Sequence, residues 1–396
     1  MPDVPGSPSA FTRRRLLVAH PSPDLYGSDR QLLETVSGLV AAGWELDVVL
    51  PSPGPLVDEL MARGAAVRVL PFPVLRKSAL RPTALPALLV GLLRATTGAR
   101  RLLRRERPDA VLVNTLTVPS WLASARLAGV PAVCHVHEAE EDQPFVVRVG
   151  LAAPLMLARL VVANSQAAAD VLVGSVRGLR RRVRVVHNGV PGPPDEPTAP
   201  ARRAGDPLRV ALVARLSPRK GVDVAMDAVR ELVDRGVDVS LRVAGTPFAG
   251  YEWYEGQLAA AAARTPLAGR VELLGYVHPT WQVLADADVV VVPSRVEPFG
   301  NTAVEAMLAR RPLVASATQG LREIVRPGVT GLLVEPGDPH ALADALARLA
   351  GDPALAAALA SAGRAEALGR FTVAGYQRAM VEAVETVAGA RRRTAQ

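Results

Sequence analysis

The chain has a single cysteine, Cys134, among 396 residues. One cysteine excludes an intramolecular disulfide and leaves a thiolate zinc site without partners. Aromatic residues make up only 4% of the sequence and are not interleaved with basic ones, which argues against nucleic-acid binding. No run approaches the roughly 20 apolar residues that span a bilayer. The polar N-terminus over residues 1–12 lacks the apolar core of a signal peptide, so we expect a cytoplasmic protein.

The length and the apolar content indicate two α/β domains. A chain of 396 residues exceeds one ordinary core, and 49% hydrophobic residues exclude overall disorder. Short apolar runs alternate with helical patterns, stop at a proline-rich break over residues 191–200, and then restart. The expected organisation is a first domain over 1–190, a linker over 191–207, a second domain over 208–371, and a terminal helix over 372–396 that returns to the first domain.

The apolar runs predict parallel strands joined by right-handed crossovers. Strands are expected at residues 16–19, 46–50, 67–70, 110–113, 132–134, 160–163, 183–186, 208–214, 239–244, 270–274, 289–292 and 313–315. Ligands of such sheets bind beyond the carboxyl ends of the strands. The residues that follow each strand are therefore the candidates for function.

The net charge of +8 is unevenly distributed. Between residues 76 and 107 nine cations accompany one acid, Glu106, and they flank an apolar run over 86–93. A basic and partly apolar helix of this kind can rest on an anionic membrane surface. A solvated helix face is the alternative, and the sequence favours neither. Peripheral contact with the inner face of a membrane is thus one expectation for this segment.

A basic loop directly follows the first strand of the second domain. The sequence Ala214-Arg-Leu-Ser-Pro-Arg-Lys-Gly221 brings Arg215 and Lys220 from a strand end to the start of a helix. Two cations beside a helix N-terminus form a natural diphosphate site. An ordinary basic loop is the alternative, and this segment alone does not decide between them.

A second loop combines a glycine and two carboxylates. The apolar strand at 289–292 is followed by Glu297, and Gly300 then opens a helix that carries Glu305. The free N–H groups and the dipole of that helix attract phosphate, while both carboxylates can accept hydroxyl protons from a sugar or a ribose. In the alternative interpretation, Glu305 only complements the helix dipole and Glu297 is an ordinary loop acid. That interpretation does not explain why a strand, a glycine and two acids occur together here.

These segments together resemble a known family. Glu297 and Glu305 have the E-x7-E spacing of retaining glycosyltransferases of the GT-B fold, particularly glycosyltransferase family 4. Residues 214–221 are similar to the family's G-R-L-x-x-x-K-G segment, with Ala214 replacing the first glycine. Three more segments match in order: His187-Asn-Gly-Val190, Leu274-Gly-Tyr-Val277 and Gly328 to Asp338. The resemblance implies a GT-B architecture, in which two Rossmann-like domains with parallel sheets face a central cleft.

The resemblance implies roles for individual residues. Arg215 and Lys220 would hold the donor diphosphate and offset charge on the leaving nucleotide. Glu297 would bind hydroxyls of the transferred sugar, and Glu305 would bind the ribose. Backbone N–H groups would reach sugar and phosphate from Phe299, Gly300, Asn301 and Thr302, whereas Tyr276 and Val277 would lie beside the nucleobase. The residues expected to be catalytic are Glu297, His137, Arg215 and Lys220.

The first domain supplies the other side of the expected cleft. The loop from His20 to Asp29 resembles the family's glycine-rich acceptor-side loop, in which Gly27 and Ser28 are expected to contact the donor and Ser28 replaces a common second glycine. His137 corresponds to the family's active-site histidine, although a lone histidine after a strand is usually structural. His135 is expected to point the opposite way. Glu138 either contacts the acceptor or faces solvent.

The pair Asp286 and Asp288 has the D-x-D spacing of metal-dependent glycosyltransferases. It precedes the strand at 289–292, so we place it at the sheet edge away from the cleft, with Asp288 in the turn that enters the strand. The resemblance implies a metal-independent reaction in which Arg215 and Lys220 replace the cation. No metal and no cofactor are expected.

The sequence thus predicts a retaining hexosyltransferase. A UDP-sugar is favoured as the donor over a GDP-sugar, and the acceptor is a glycan such as a cell-envelope polysaccharide, a lipid-linked precursor or a small molecule. The alternatives on the same fold are a non-catalytic nucleotide-sugar-binding protein and a nucleotide-sugar epimerase. A binding protein would need damaged catalytic positions, and none is evident.

Overall fold

The computed structural model describes residues 14–75, 85–199, 202, 206–248 and 250–394. The first half contains seven strands: β1 Arg14–Ala19, β2 Trp44–Leu50, β3 Ala66–Val69, β4 Ala110–Val113, β5 Ala132–Val136, β6 Leu160–Ala163 and β7 Val183–Val185. Its helices are α1 Gly27–Ala41, α2 Leu56–Ala62, α3 Leu85–Glu106, α4 Pro119–Ala128, α5 Phe145–Ala152 and α6 Gln166–Ser175. Short 3-10 helices cover Ala153–Leu157 and Arg177–Arg181.

The second half repeats this plan. Its strands are β8 Leu208–Val213, β9 Val239–Ala244, β10 Val271–Gly275, β11 Val289–Val292, β12 Leu313–Ser316 and β13 Leu332–Val334. Its helices are α7 Val222–Asp234, α8 Glu252–Ala262, α9 Trp281–Ala285, α10 Asn301–Leu308, α11 Leu321–Ile324, α12 Pro339–Gly351, α13 Pro353–Arg370 and α14 Val373–Thr394. A 3-10 turn covers Pro218–Lys220. None of the described helices is long and apolar enough to cross a membrane.

Both sheets are parallel, and each reverses its strand order at one point. The first sheet has the order β3-β2-β1-β4-β5-β6-β7, and the second has the order β10-β9-β8-β11-β12-β13. The chain therefore leaves β1 in one direction and β4 in the other, and the same holds for β8 and β11. A crevice opens at such a switch point, beyond the carboxyl ends of the two neighbouring strands.

The expected pair of parallel α/β sheets is confirmed, with boundaries that mostly differ by one or two residues. The strand β13 was not expected. Its apolar run, Leu332-Leu-Val334, is only three residues long, and it becomes a strand because it pairs with β12 at the sheet edge. The part of the basic segment over 76–84 lies outside the described residues, and the rest forms α3.

Apolar clusters cover both faces of each sheet. In the first half, one face packs against α1, α2 and α14, and the other packs against α3 and α4. In the second half, the faces are covered by α7 and α12 and by α10 and α13. Strands that are buried on both faces read as continuous Val and Leu runs, which explains why they could be located in the sequence.

The terminal helix α14 lies on the first half of the molecule. A Cβ at Gly38 of α1 would approach the Gln377 side chain of α14 to 2.7 Å, so the two helices are in close contact there. Tyr376 is buried in the core of the first half, and its hydroxyl lies 2.5 Å from that of Thr35. The backbone N–H of Val190 donates to the carbonyl of Phe371. The two chain crossings, which are the segments where the chain passes from one half to the other, therefore lie side by side. The domain boundaries themselves stay a prediction.

The docking of α14 can be tested at Tyr376. We expect Tyr376→Ala to lower the free energy of unfolding by about 3 to 5 kcal/mol, because it leaves a cavity in a close-packed core. Tyr376→Phe keeps the ring, and Thr35 keeps its bond to the Gln31 carbonyl, so we expect a loss of about 1 kcal/mol. Urea unfolding of the full chain measures both. Tyr251→Ala, at a partly exposed ring, is the control, and an equal loss there would contradict the assignment.

Candidate active site

The loops after β8 and β11 meet at the switch point of the second sheet. Gly221 has a φ of +65°, and a Cβ there would lie 2.0 Å from the Pro293 carbonyl oxygen, so only glycine permits this approach. Lys220 Nζ then reaches Glu297 Oε2 at 2.6 Å, and the Ser294 hydroxyl donates to the same oxygen at 3.0 Å. The structure thus joins the two expected donor-site loops through one ion pair.

Arg215 is held between two aromatic rings. Its guanidinium carbon lies 3.1 Å from the ring centroid of Tyr26, in the first half, and 3.2 Å from that of Phe248, in the second half. Burial lowers the pKa of the guanidinium to about 10, so the group stays charged at neutral pH. Its Nη1 is buried without a hydrogen-bond partner among the described residues. A buried cation with a free donor is a strong site for an anion.

The helix α10 begins beside these cations. Gly300 precedes it with a φ of +117°. Thr302 uses its hydroxyl to donate to the Val213 carbonyl at 3.1 Å, and Asn301 Oδ1 accepts from the Asn188 side chain at 2.9 Å. The Phe299 ring is buried against Phe371. These side-chain contacts therefore fix the start of the helix, whose first backbone N–H groups have no partner within the helix.

Glu305 lies one turn into α10 and is unusual in its protonation. Burial raises the pKa of its carboxyl to about 7, and the charge of Arg30 acts in the opposite direction. Arg30 comes from α1, and its guanidinium donates to the Tyr276 hydroxyl at 3.2 Å and lies 3.0 Å from His278 Nε2. Val277, which lies between Tyr276 and His278 in the sequence, is partly buried against the core of the second half. The expected nucleobase side is thus reached by an arginine of the other half.

The switch point of the first sheet gathers a polar cluster. The Asn114 side chain, after β4, lies 3.0 Å from His20 Nδ1, after β1. Its oxygen lies 3.1 Å from both His135 Nδ1 and His137 Nε2. Burial lowers the pKa of His137 to about 3, and it lowers the pKa of His135 well below its usual value. Both rings are therefore neutral at physiological pH.

The expectation that His135 points away from His137 was wrong. The two ring centroids are 4.0 Å apart and share the Asn114 oxygen. Along an extended segment, side chains alternate with a period of two, so residues two apart lie on the same face. His135 is fully buried, whereas His137 is half-buried at the end of the strand.

The remaining first-half residues line the same region. A Cβ at Gly27 would lie 3.5 Å from Asn301 Nδ2, so this loop touches the start of α10. The Ser28 hydroxyl is 3.5 Å from Asp29 Oδ1. Glu138 does not extend into solvent: it accepts from the Thr115 hydroxyl and from the His137 backbone N–H. Burial raises the pKa of the Glu138 carboxyl.

The aspartates of the D-x-D motif lie at the opposite edge of the second sheet. Asp288 is buried and accepts from the Arg209 guanidinium at 2.8 and 3.0 Å, at the amino ends of β8 and β11. Asp286 lies 3.2 Å from Arg242. In the described ranges no group of three or more His, Cys, Asp or Glu side chains is placed to hold a metal ion.

Several site residues were not identified from the sequence. They are Arg30, Asn114 and Phe248, together with His20, Tyr26 and Asp29, which were only part of a loop. Asn114 and His20 each follow a buried strand, which was a usable signal. The aromatic and arginine contacts join the two halves, and no local pattern marks them.

Comparisons with known proteins cover both halves. Residues 207–352 match the family model Glycosyl transferases group 1, and residues 26–191 match that of Glycosyltransferase Family 4. A protein of Actinosynnema mirum named D-inositol 3-phosphate glycosyltransferase is 31% identical over 395 residues, which cover 88% of this chain and 91% of that protein. The protein of that name from Streptomyces avermitilis is 31% identical over 93% of this chain and 89% of its own length.

Solved structures agree with this fold. Anabaena HepE in complex with UDP-glucose superposes with a TM-score of 0.78 at 25% identity, covering 94% of this chain and 99% of that one. The sucrose-phosphate synthase of Thermosynechococcus elongatus gives a TM-score of 0.74 at 22% identity, over 96% and 100% of the two chains. The chain therefore belongs to the group 1 glycosyl transferases of glycosyltransferase family 4, and it is an enzyme with the GT-B fold.

Proposed function

We propose that this glycosyltransferase moves a hexose from a UDP-sugar to a hydroxyl acceptor with retention of configuration, a GDP-sugar being the second choice of donor. The observation that carries the proposal is the Lys220–Glu297 pair beside Arg215 at the start of α10. These groups offer two cations, free helix N–H groups and a carboxylate within one crevice. A nucleoside diphosphate-sugar has the complementary phosphates and hydroxyls.

The charges of the site suggest how the glycosyl bond breaks. Arg215 and Lys220 would stabilise the negative charge that develops on the leaving diphosphate, which is the task a metal ion performs elsewhere. Glu297 is engaged by Lys220 and Ser294, which disfavours it as an attacking nucleophile and favours a role in orienting sugar hydroxyls. A same-face substitution, in which the leaving phosphate accepts the acceptor's proton, needs no further base.

Assays with selected donors and acceptors test the proposal. HepE, of similar fold, was crystallised with UDP-glucose, so UDP-glucose is the first donor to test. The relatives named D-inositol 3-phosphate glycosyltransferase make a phosphorylated inositol the first acceptor, before glycans and lipid-linked precursors. A binding protein would give no product and an epimerase would give an altered nucleotide-sugar, so product analysis separates the three functions.

Lys220 provides the most direct test of donor binding. We expect Lys220→Ala to reduce turnover at least a hundredfold, because a charge that stabilises the leaving group is lost. Lys220→Arg keeps the charge but changes its reach, and we expect a smaller loss. UDP binding by calorimetry should weaken in parallel.

The control is Arg264→Ala, which removes an exposed cation of the same half. Glu297→Ala should also abolish turnover while circular dichroism stays unchanged. Full turnover in either the Lys220→Ala or the Glu297→Ala variant would contradict the role proposed for that residue.

The raised pKa of Glu305 predicts a pH-dependent affinity. Ribose hydroxyls need the ionised carboxylate as their acceptor, and the pKa of about 7 means that this form is lost as the pH falls below 7. The affinity for a UDP-hexose, whose phosphates stay ionised, should then fall by up to about tenfold per pH unit. Calorimetry across neutral pH measures the slope. Glu305→Gln should bind more weakly and remove the slope, and a slope that persists would assign it to another group.

We also propose that α3 contacts an anionic membrane surface on the inner face of the membrane. Its N-terminal part exposes Leu89, Val90 and Leu93, whose exposed fractions are 60%, 47% and 68%. From residue 94 onward it exposes four arginines: Arg94, Arg101, Arg104 and Arg105. Apolar insertion and attraction to anionic headgroups act together on such a helix.

The membrane proposal is tested by cosedimentation with vesicles. We expect binding to mixed phosphatidylglycerol and phosphatidylcholine vesicles, with little binding to phosphatidylcholine alone and weakening by salt. The double variant Leu89→Ser with Leu93→Ser should lose most of the binding. Leu368→Ser, at a leucine of α13 that is 52% exposed, is the matched control. Equal sedimentation of both variants would refute the proposal.

A further inference from the structure

A chain of hydrogen bonds runs through the switch point of the first sheet. It links Asp29, His20, Asn114 and the pair His135 and His137. Asp29, His20, Asn114 and His135 have exposed fractions of 1%, 0%, 1% and 0%. His137 is the one member that is half-exposed. The family resemblance gives a catalytic role only to His137, so the buried members need another explanation.

The carboxylate of Asp29 sets the direction of the first bonds. Its Oδ2 accepts from the Tyr26 backbone N–H at 2.8 Å, and its Oδ1 lies 2.8 Å from His20 Nε2. An ionised carboxylate only accepts, so His20 carries a hydrogen on Nε2. The Asn114 amide nitrogen faces Nδ1 at 3.0 Å. An amide nitrogen only donates, so Nδ1 holds a lone pair and the His20 ring is neutral.

The orientation of Asn114 then determines both histidines beyond it. Since its nitrogen faces His20, its oxygen faces His135 Nδ1 and His137 Nε2, each at 3.1 Å. An amide oxygen only accepts, so both of these nitrogens carry hydrogens. His135 gives a second argument, because its Nε2 is buried without a partner. An orphaned N–H is rarer than an orphaned acceptor, which again places the hydrogen of His135 on Nδ1.

We propose that His20 and Asn114 are positioning residues that fix the tautomer of His137, with the hydrogen on Nε2 and a lone pair on Nδ1. His137 Nδ1 has no partner within the described part of the chain. It therefore presents an acceptor, and it receives a hydrogen bond from a hydroxyl of the sugar or the acceptor molecule. In this tautomer His137 does not donate a proton to the leaving group. The inference rests on the proposed glycosyltransfer for its consequence, but the tautomer exists without any substrate.

The tautomer can be read directly by nitrogen-15 NMR of the imidazole rings in the ligand-free enzyme. The chain has six histidines, and a His137→Gln spectrum assigns the resonance. We expect His137 to be neutral with its hydrogen on Nε2 near neutral pH. A hydrogen on Nδ1 would overturn the proposal outright. Failure of the glycosyltransferase proposal would instead appear as unchanged UDP binding in the Lys220 variants, so the two failures are distinguishable.

The dependence on His20 is tested by substitution. His20→Phe removes the acceptor for the Asn114 nitrogen, so the amide can rotate and His137 should become a mixture of tautomers. We expect kcat to fall by about tenfold to a hundredfold, while KM for the donor and UDP affinity stay within about twofold because the other half binds the nucleotide. His20→Leu serves in the same way if His20→Phe does not fold.

A carboxylate at position 114 supplies the matched control. Asn114→Asp still accepts from both histidines, whichever way its side chain is turned, and no longer needs His20 to orient it. In the double variant His20→Phe with Asn114→Asp, the Nε2 hydrogen of His137 should therefore return. A tautomer that is unchanged by His20→Phe alone, or a mixture that persists in the double variant, would show that His20 does not act through Asn114.

Discussion

The reversal of strand order in each parallel sheet is the constraint on which the rest of the molecule depends. Because β1 and β4 are neighbours whose chains depart in opposite directions, no crossover covers their carboxyl ends, and the same is true of β8 and β11. The gaps are filled by the residues that follow these strands: His20 and Asn114 in one half, Lys220 and Glu297 in the other. Each pair is distant in sequence and in direct contact in space.

The two cations of the proposed donor site contact a carboxylate and two aromatic rings. Lys220 is paired with Glu297, and the Arg215 guanidinium lies between Tyr26 and Phe248, with its Nη1 unpartnered among the described residues. Aromatic faces stabilise a cation without using its hydrogen-bond donors. Because Tyr26 belongs to the first half, the position of Arg215 depends on how the halves meet. Closure of the halves would therefore affect the proposed binding of a diphosphate.

The two halves are joined by further contacts around the chain crossings. The carboxylate of Glu323 accepts from the backbone N–H groups of Gln166 and Ala167 at the start of α6, each at 2.8 Å, and lies 3.1 Å from His187 Nε2. An acid at a helix N-terminus is favoured by the free N–H groups and the dipole. Here the acid comes from the other half, so capping of one helix also fixes the relation between the sheets.

The sequence by itself determined the two parallel sheets and the loops that carry Arg215, Lys220, Glu297 and Glu305, because apolar runs, glycines and charged residues are local patterns. The predicted relation between His135 and His137 was wrong, since residues two apart along a strand lie on the same face. The strand order follows only from the tertiary structure. That order also brings together the hydrogen-bonded residues from Asp29 to His137 and the aromatic rings that contact Arg215. Periodicity specifies which face of an element is buried, but not which distant element covers it, and contacts across 94 residues, such as Asn114 with His20, follow from that pairing alone.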